Sequence, residues 1–189
     1  SVNQPFYLRT VLNINPFFGG INNSPVLLNP PIDEACVGEC FEHNPSAYDA
    51  DGDSLSYTLV SSYADGQPIS GYTFPPNMSA NSIDPLKGDL VWCTPTTVCE
   101  YNVAILIKEY RRLPGSAERY EVGSVLRDMQ INVRMCANDP PQIKHINDTC
   151  IAAGTNLTIP VQATDPNTNN LVRLTAYGGP FQVIPAATF

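Results

Sequence analysis

Three aspartates, Asp49, Asp51 and Asp53, alternate within five residues of the stretch AYDADGDSLSY, around a single glycine. Carboxylates packed this closely repel one another in water, and a hard divalent cation relieves that repulsion. Calcium accepts about six to eight oxygens at about 2.3–2.6 Å from a flexible loop. The spacing is not that of an EF-hand, which needs glycine at the sixth loop position and glutamate at the twelfth. Counted from Asp49, those positions hold Ser54 and Val60. The competing reading is a polar turn, in which the aspartates accept local backbone hydrogen bonds and Gly52 supplies a positive φ.

The elements around the loop read as strands. Helical periodicity is nearly absent, while short apolar runs bounded by glycine, proline, asparagine or aspartate recur along the chain. They are FYLRTVLNI, PVLL, CFEHN, LSYTLV, DLVWC, YNVAILIKEY, SVLRDMQINVRM, QIKHI, LTIPVQA and VRLTA. The class is all-β. YNVAILIKEY is almost continuously apolar and is expected to be central, and SVLRDMQINV alternates, with Val125, Met129, Ile131 and Val133 as its apolar members. In β-sandwich order, the aspartate loop shares one end of the domain with the incoming linker, Asn22 and Asn23. The loop between the last two strands reaches that end too, bringing Glu109 and Asp128. Asp49, Asp51, Asp53, Glu109, Asp128, Asn22 and Asn23 are therefore the expected calcium shell, at a domain junction.

A weak internal repeat sets the domain boundaries. NNSPVLLNPPIDEACVGECFEHNPSAYDADGDSLSYTL aligns with ANDPPQIKHINDTCIAAGTNLTIPVQATDPNTNNLVRLTA, with Pro25 falling on Pro141, 116 residues on (141 less 25). That offset suits one sandwich domain. Residues 1–21 are then expected to be the last strand of a preceding repeat, 22–137 a complete sandwich, and 138–189 the first part of a following repeat. In the second copy amides replace carboxylates, so Asp139, Asp165, Asn167 and Asn169 are expected to form a weaker calcium site or only a turn.

Ten basic against eighteen acidic residues give a formal net charge of −8, which argues against nucleic acid and anionic membranes as partners. No apolar run is long enough to insert in a bilayer. Six cysteines without a CxxC pair or a Cys/His cluster point to disulfides, hence to an oxidising, extracellular location. Cys93 and Cys99 flank the short turn TPTTV and are the first pair expected. Cys36 could pair with Cys136, leaving Cys40 and Cys150 over; alternatively Cys36 pairs with Cys40 and Cys136 with Cys150.

Catalytic readings find little support. The two histidines, His43 and His145, fall in different expected domains, and GxSxG, HExxH and phosphate-cradling glycine loops are missing. No enzyme activity is expected. A carbohydrate-binding module of a secreted multidomain enzyme is the rival reading, with Trp92, Tyr57, Tyr63, Tyr72, Tyr101, Tyr110 and Tyr120 as possible platforms, although Trp92 also suits a buried sandwich core. The loop YRRLPGSAERYEVGS is a place for a partner contact or a solvated hairpin tip.

The aspartate loop, the turn IDPLKGDLVW and the strand RDMQI, together with the linkers NNSP and NDPP, resemble the cadherin-like or immunoglobulin-like repeats of large Bacteroidota surface proteins. The resemblance implies tandem cadherin-like or Ig-like β-sandwiches in a secreted adhesin or filament-forming protein, exported by type IX secretion and associated with gliding motility. It implies calcium stiffening the repeat junctions, and neighbouring repeats, other protein subunits or surface glycans as partners. Glu109 stands where such repeats often carry aspartate, and Cys40, Cys93 and Cys99 are additional to the pattern.

Overall fold

The computed structural model describes residues 6–189, which are almost entirely strand, turn and loop. In chain order the strands are β1 (Arg9–Leu12), β2 (Val26–Leu27), β3 (Glu34–Cys36), β4 (Phe41–His43), β5 (Ala47–Tyr48), β6 (Ser54–Val60), β7 (Tyr63–Ala64), β8 (Gln67–Pro68), β9 (Leu90–Trp92), β10 (Cys99–Arg112), β11 (Arg119–Arg134), β12 (Gln142–Ile143) and β13 (Ala163–Thr164). Among the described residues helix is limited to three short 3-10 turns, at Pro16–Phe18, Ala80–Ser82 and Gly179–Phe181. The chain divides into two compact units, one reaching to Met135 and including Tyr177–Thr188, the other comprising Cys136–Ala176 and Phe189.

The larger unit is organised by the long β10–β11 hairpin. Its sheet runs β1, β11, β10, β6, and β3 pairs in parallel with the far end of β11. The apolar run of β10 leaves Val103, Ala104, Ile105 and Ile107 fully buried, consistent with a strand paired on both sides by β6 and β11. Alternation in β11 turns Met129, Ile131 and Val133 to the same inner face. Phe41, Leu90 and Trp92, from the separate β4–β9 ladder, join these side chains and Tyr57 and Leu59 of β6 in one buried cluster. Trp92 is wholly buried, its indole N–H donating to the Pro76 carbonyl at 2.8 Å and its ring edge-on to Tyr101. It is a core residue, with no face available as a sugar platform.

The β10–β11 ladder is regular from Cys99 opposite Val133 to Glu109 opposite Gly123. It then slips, so that Tyr110 faces Glu121 and Val122 is the extra residue of a bulge.

Of the segment 1–21, expected as the last strand of a preceding repeat, the first five positions lie outside the described residues. Its strand, β1, pairs antiparallel with β11, Arg9 opposite Leu126 and Leu12 opposite Gly123. The reason is the edge of β11: a strand of 16 residues presents a row of N–H and C=O groups, which β1 and β3 cover. The expected Cys93–Cys99 pair is corrected: it does not form. Cys93 is bonded to Cys40, Cα–Cα 3.9 Å, one position beyond the Phe41–Trp92 pair of the β4–β9 ladder. Cys99 opens β10 opposite Val133, and it and Cys150 are exposed free thiols. Cys36 and Cys136 are both disulfide-bonded, which excludes the scheme joining Cys36 to Cys40 and Cys136 to Cys150.

The smaller unit contains one ladder, Gln142 opposite Thr164 and Ile143 opposite Ala163. The larger unit has the same ladder in β2–β5, Val26 opposite Tyr48 and Leu27 opposite Ala47. Gln142 and Thr164 stand 116 residues after Val26 and Tyr48 (142 less 26, 164 less 48). VRLTA and most of LTIPVQA, expected as strands, are irregular and have no partner strand among the described residues.

Candidate metal centre

The aspartate loop joins β5 to β6, and its shape follows from its sequence. Asp49 Oδ1 accepts from the backbone N–H of Asp51 at 3.0 Å and of Asp53 at 2.9 Å, while Gly52 at φ +80° closes the turn. The polar-turn chemistry is therefore present, but it uses only one oxygen of Asp49. From β10, beside the bulge, Glu109 reaches the same place. Asp49, Asp51, Asp53 and Glu109 each offer an oxygen within 4.8 Å of all the others, a grouping that could hold a metal ion.

Burial makes this grouping costly for the protein alone. Glu109 is fully buried and Asp49 is 7% exposed, and Glu109 Oε2 and Asp49 Oδ2 have no hydrogen-bond partner. Burial, opposed by the Asn22 amide and reinforced by Asp49 and Asp53, pushes the Glu109 carboxyl up to about 7. Burial is also the main cause raising Asp49. Asp51, by contrast, is held below the ordinary carboxylate range, first by the backbone N–H of Asn23. Space for Glu109 comes from Gly123: a Cβ there would collide with Glu109 Oε2 and lie 3.1 Å from the Val11 carbonyl.

The linker residues Asn22 and Asn23, expected as ligands, reach the group as hydrogen-bond donors to its acids. Asn22 Nδ2 donates to Glu109 Oε1 at 2.6 Å, and Asn23 donates to Asp51 through both its backbone N–H, 2.7 Å, and its side-chain amide, 3.0 Å. Sequence reading missed one participant. Arg111 grips Asp53 through Nε, at 2.9 and 3.0 Å, and through Nη2, at 2.6 Å; Nη2 also lies 3.4 Å from Asp51 Oδ2 and donates to Asn22 Oδ1. The available signal was period two, because residues 109 and 111 of one strand share a face.

Asp128 is not part of the group, which corrects its expected place in the shell. The hairpin is longer than its sequence suggests, so Asp128 stands opposite Ala104, five positions along β10 from Glu109. Its oxygens accept from the Tyr7 backbone N–H at 3.3 Å and the Ser62 hydroxyl at 3.5 Å, and burial raises its carboxyl. His43 is buried with the Arg127 guanidinium, and burial and then that charge lower it to about 4.

The second expected set lies in the smaller unit and repeats part of the first. Asp165 Oδ1 accepts from the Asn167 backbone N–H at 2.7 Å, and Asn167 Oδ1 accepts from the Asp139 backbone N–H at 2.9 Å. These bonds match Asp49 with Asp51, and Asp51 with Asn23, 116 residues earlier (165 less 49, 139 less 23). Asn170, rather than Asn169, completes the set by donating to Asp165 at 3.3 Å and to Asn138.

Comparison of the chain with family models, curated proteins and solved structures returns no match.

Proposed function

We propose that this chain is a non-enzymatic structural or adhesive module of a secreted or cell-surface bacterial protein, built on cadherin-like or Ig-like β-sandwich repeats, in which calcium binds Asp49, Asp51, Asp53 and Glu109. One observation carries the reading: two buried carboxylate oxygens, on Asp49 and Glu109, have no partner inside a group of four acids. An unpaired buried carboxylate costs several kcal/mol, and a divalent cation removes that cost. Calcium is favoured over zinc because every ligand is oxygen, with no histidine or cysteine in the group. The ion would pin the incoming Asn22–Asn23 segment to the aspartate loop and to β10. The recurrence of ladder and loop at 116 residues supports tandem repeats, and two disulfides support an oxidising, extracellular setting. No helix among the described residues is long and apolar enough to cross a membrane.

Thermal unfolding in calcium and in chelator tests this. The midpoint is expected to rise by several degrees with calcium in the unaltered chain, and to stay unmoved in Asp49→Asn/Glu109→Gln. An unmoved midpoint in the unaltered chain at millimolar calcium refutes the reading.

A second reading rests on a different place. A cleft of about 490 Å³ is lined by Tyr72, Tyr101, Asn102, Gln130 and Glu100, a mixture of aromatic and amide groups suited to a saccharide. A glycan array separates the two: specific retention of a glycan, lost in Asn102→Ala/Gln130→Ala, favours the carbohydrate-binding module.

A further inference from the structure

We infer that Arg111 is a built-in competitor for the cation site, so that the group alternates between a guanidinium-held and a cation-held arrangement. The inference rests on the metal-binding reading above and concerns how that site is regulated.

The acids fall into two classes. Asp51 and Asp53 are already compensated, Asp53 by a two-nitrogen grip from Arg111 and Asp51 by the Asn23 amides and Arg111 Nη2. Asp49 and Glu109 keep the two unpartnered buried oxygens. A cation entering at that uncompensated pair lies within one side chain's length of the guanidinium, since one oxygen of each acid lies within 4.8 Å of the others and Arg111 holds Asp53 and approaches Asp51. Two positive charges at such separation repel strongly where water is scarce, and the Arg111 side chain is only 15% exposed. Both cations require Asp53, and a divalent ion that takes its oxygens displaces the fork.

Displacement has a structural consequence. Arg111 also reaches the Phe18 carbonyl through Nη1 at 3.4 Å and holds Asn22 Oδ1 through Nη2. When the guanidinium leaves, Asn22 Oδ1 becomes a free carbonyl oxygen beside the site, the ligand type calcium prefers. The segment from Phe18 to Asn22 thereby passes from an arginine clasp to a cation clasp. Arg111 keeps the acids tolerable without metal and sets the calcium concentration at which exchange occurs.

Calcium titration by calorimetry of the unaltered chain, Arg111→Gln and Arg111→Lys tests the inference. Arg111→Gln, which keeps an amide donor but removes the charge, is expected to bind calcium at least about tenfold more tightly and to unfold at a lower temperature in chelator. Arg111→Lys is expected to stay within about threefold of the unaltered chain. Should Arg111→Gln fold only in calcium, the inference is supported. In the unaltered chain, the Arg111 Nε–H resonance in NMR spectra is expected to move in step with calcium occupancy. Equal or weaker binding by Arg111→Gln, or an Nε–H resonance unmoved at saturation, overturns the inference while leaving the metal site intact. No binding by any of the three chains removes both.

Discussion

The chemistry of this chain is concentrated in a few carboxylates whose environments differ sharply. Asp49, Asp51 and Asp53 stood out in the sequence because alternating acids around a glycine read either as cation ligands or as a polar turn, and the loop carries the turn's hydrogen bonds as well. Glu109 was legible because it closes an apolar strand. Asp128 misled because its distance from the site depends on hairpin length, which apolar alternation alone does not fix. Arg111 was overlooked because a basic residue near a hairpin tip normally faces solvent. The raised carboxyl of Glu109 has a pH consequence. Its folded value, about 7, exceeds the unfolded value, so between about 4.5 and 7 the folded state holds the extra proton, and this contribution to stability is lost as pH rises. In chelator, Glu109→Gln is expected to abolish that loss, seen as a smaller fall in unfolding midpoint between pH 5 and pH 8 than in the unaltered chain. Gly123→Ala, which forces a Cβ against Glu109 Oε2 and the Val11 carbonyl, is expected to cost about 1–3 kcal/mol of unfolding free energy in a denaturant titration.

Among the elements, the long hairpin and its buried face were the most legible part. Near-continuous apolar character marked β10 as central, and alternation marked the inner face of β11. The two-residue strands β5, β7 and β8 were not legible, because such short pairs carry no period. Cysteine pairing was unreadable for a related reason. Cys40 and Cys93 are 53 residues apart and meet only because β4 and β9 align Phe41 with Trp92. Replacing both by serine is expected to lower stability by about 2–4 kcal/mol in denaturant unfolding. Cys99→Ser, at an exposed free thiol, is expected to change it by less than about 0.5 kcal/mol.

At the scale of the whole molecule, the sequence offset of 116 residues reappears as matching ladders and matching loop hydrogen bonds in the two units. FYLRTVLNI was read as a strand, but its pairing with β11 was not foreseen, since an alignment carries no information about which strand edge needs covering. Because the smaller unit has amides where the larger has Asp51 and Asp53, calcium is expected to saturate at one tight equivalent per chain in calorimetry, with any second event at least about tenfold weaker. Two loops that share a pair of hydrogen bonds and differ in charge thus travel in a single polypeptide, at identical concentration, salt and temperature. Backbone signals around Asn167 serve as an internal reference for those around Asp51: whatever disturbs both alike is the solvent, and whatever disturbs only the acidic loop is the ion.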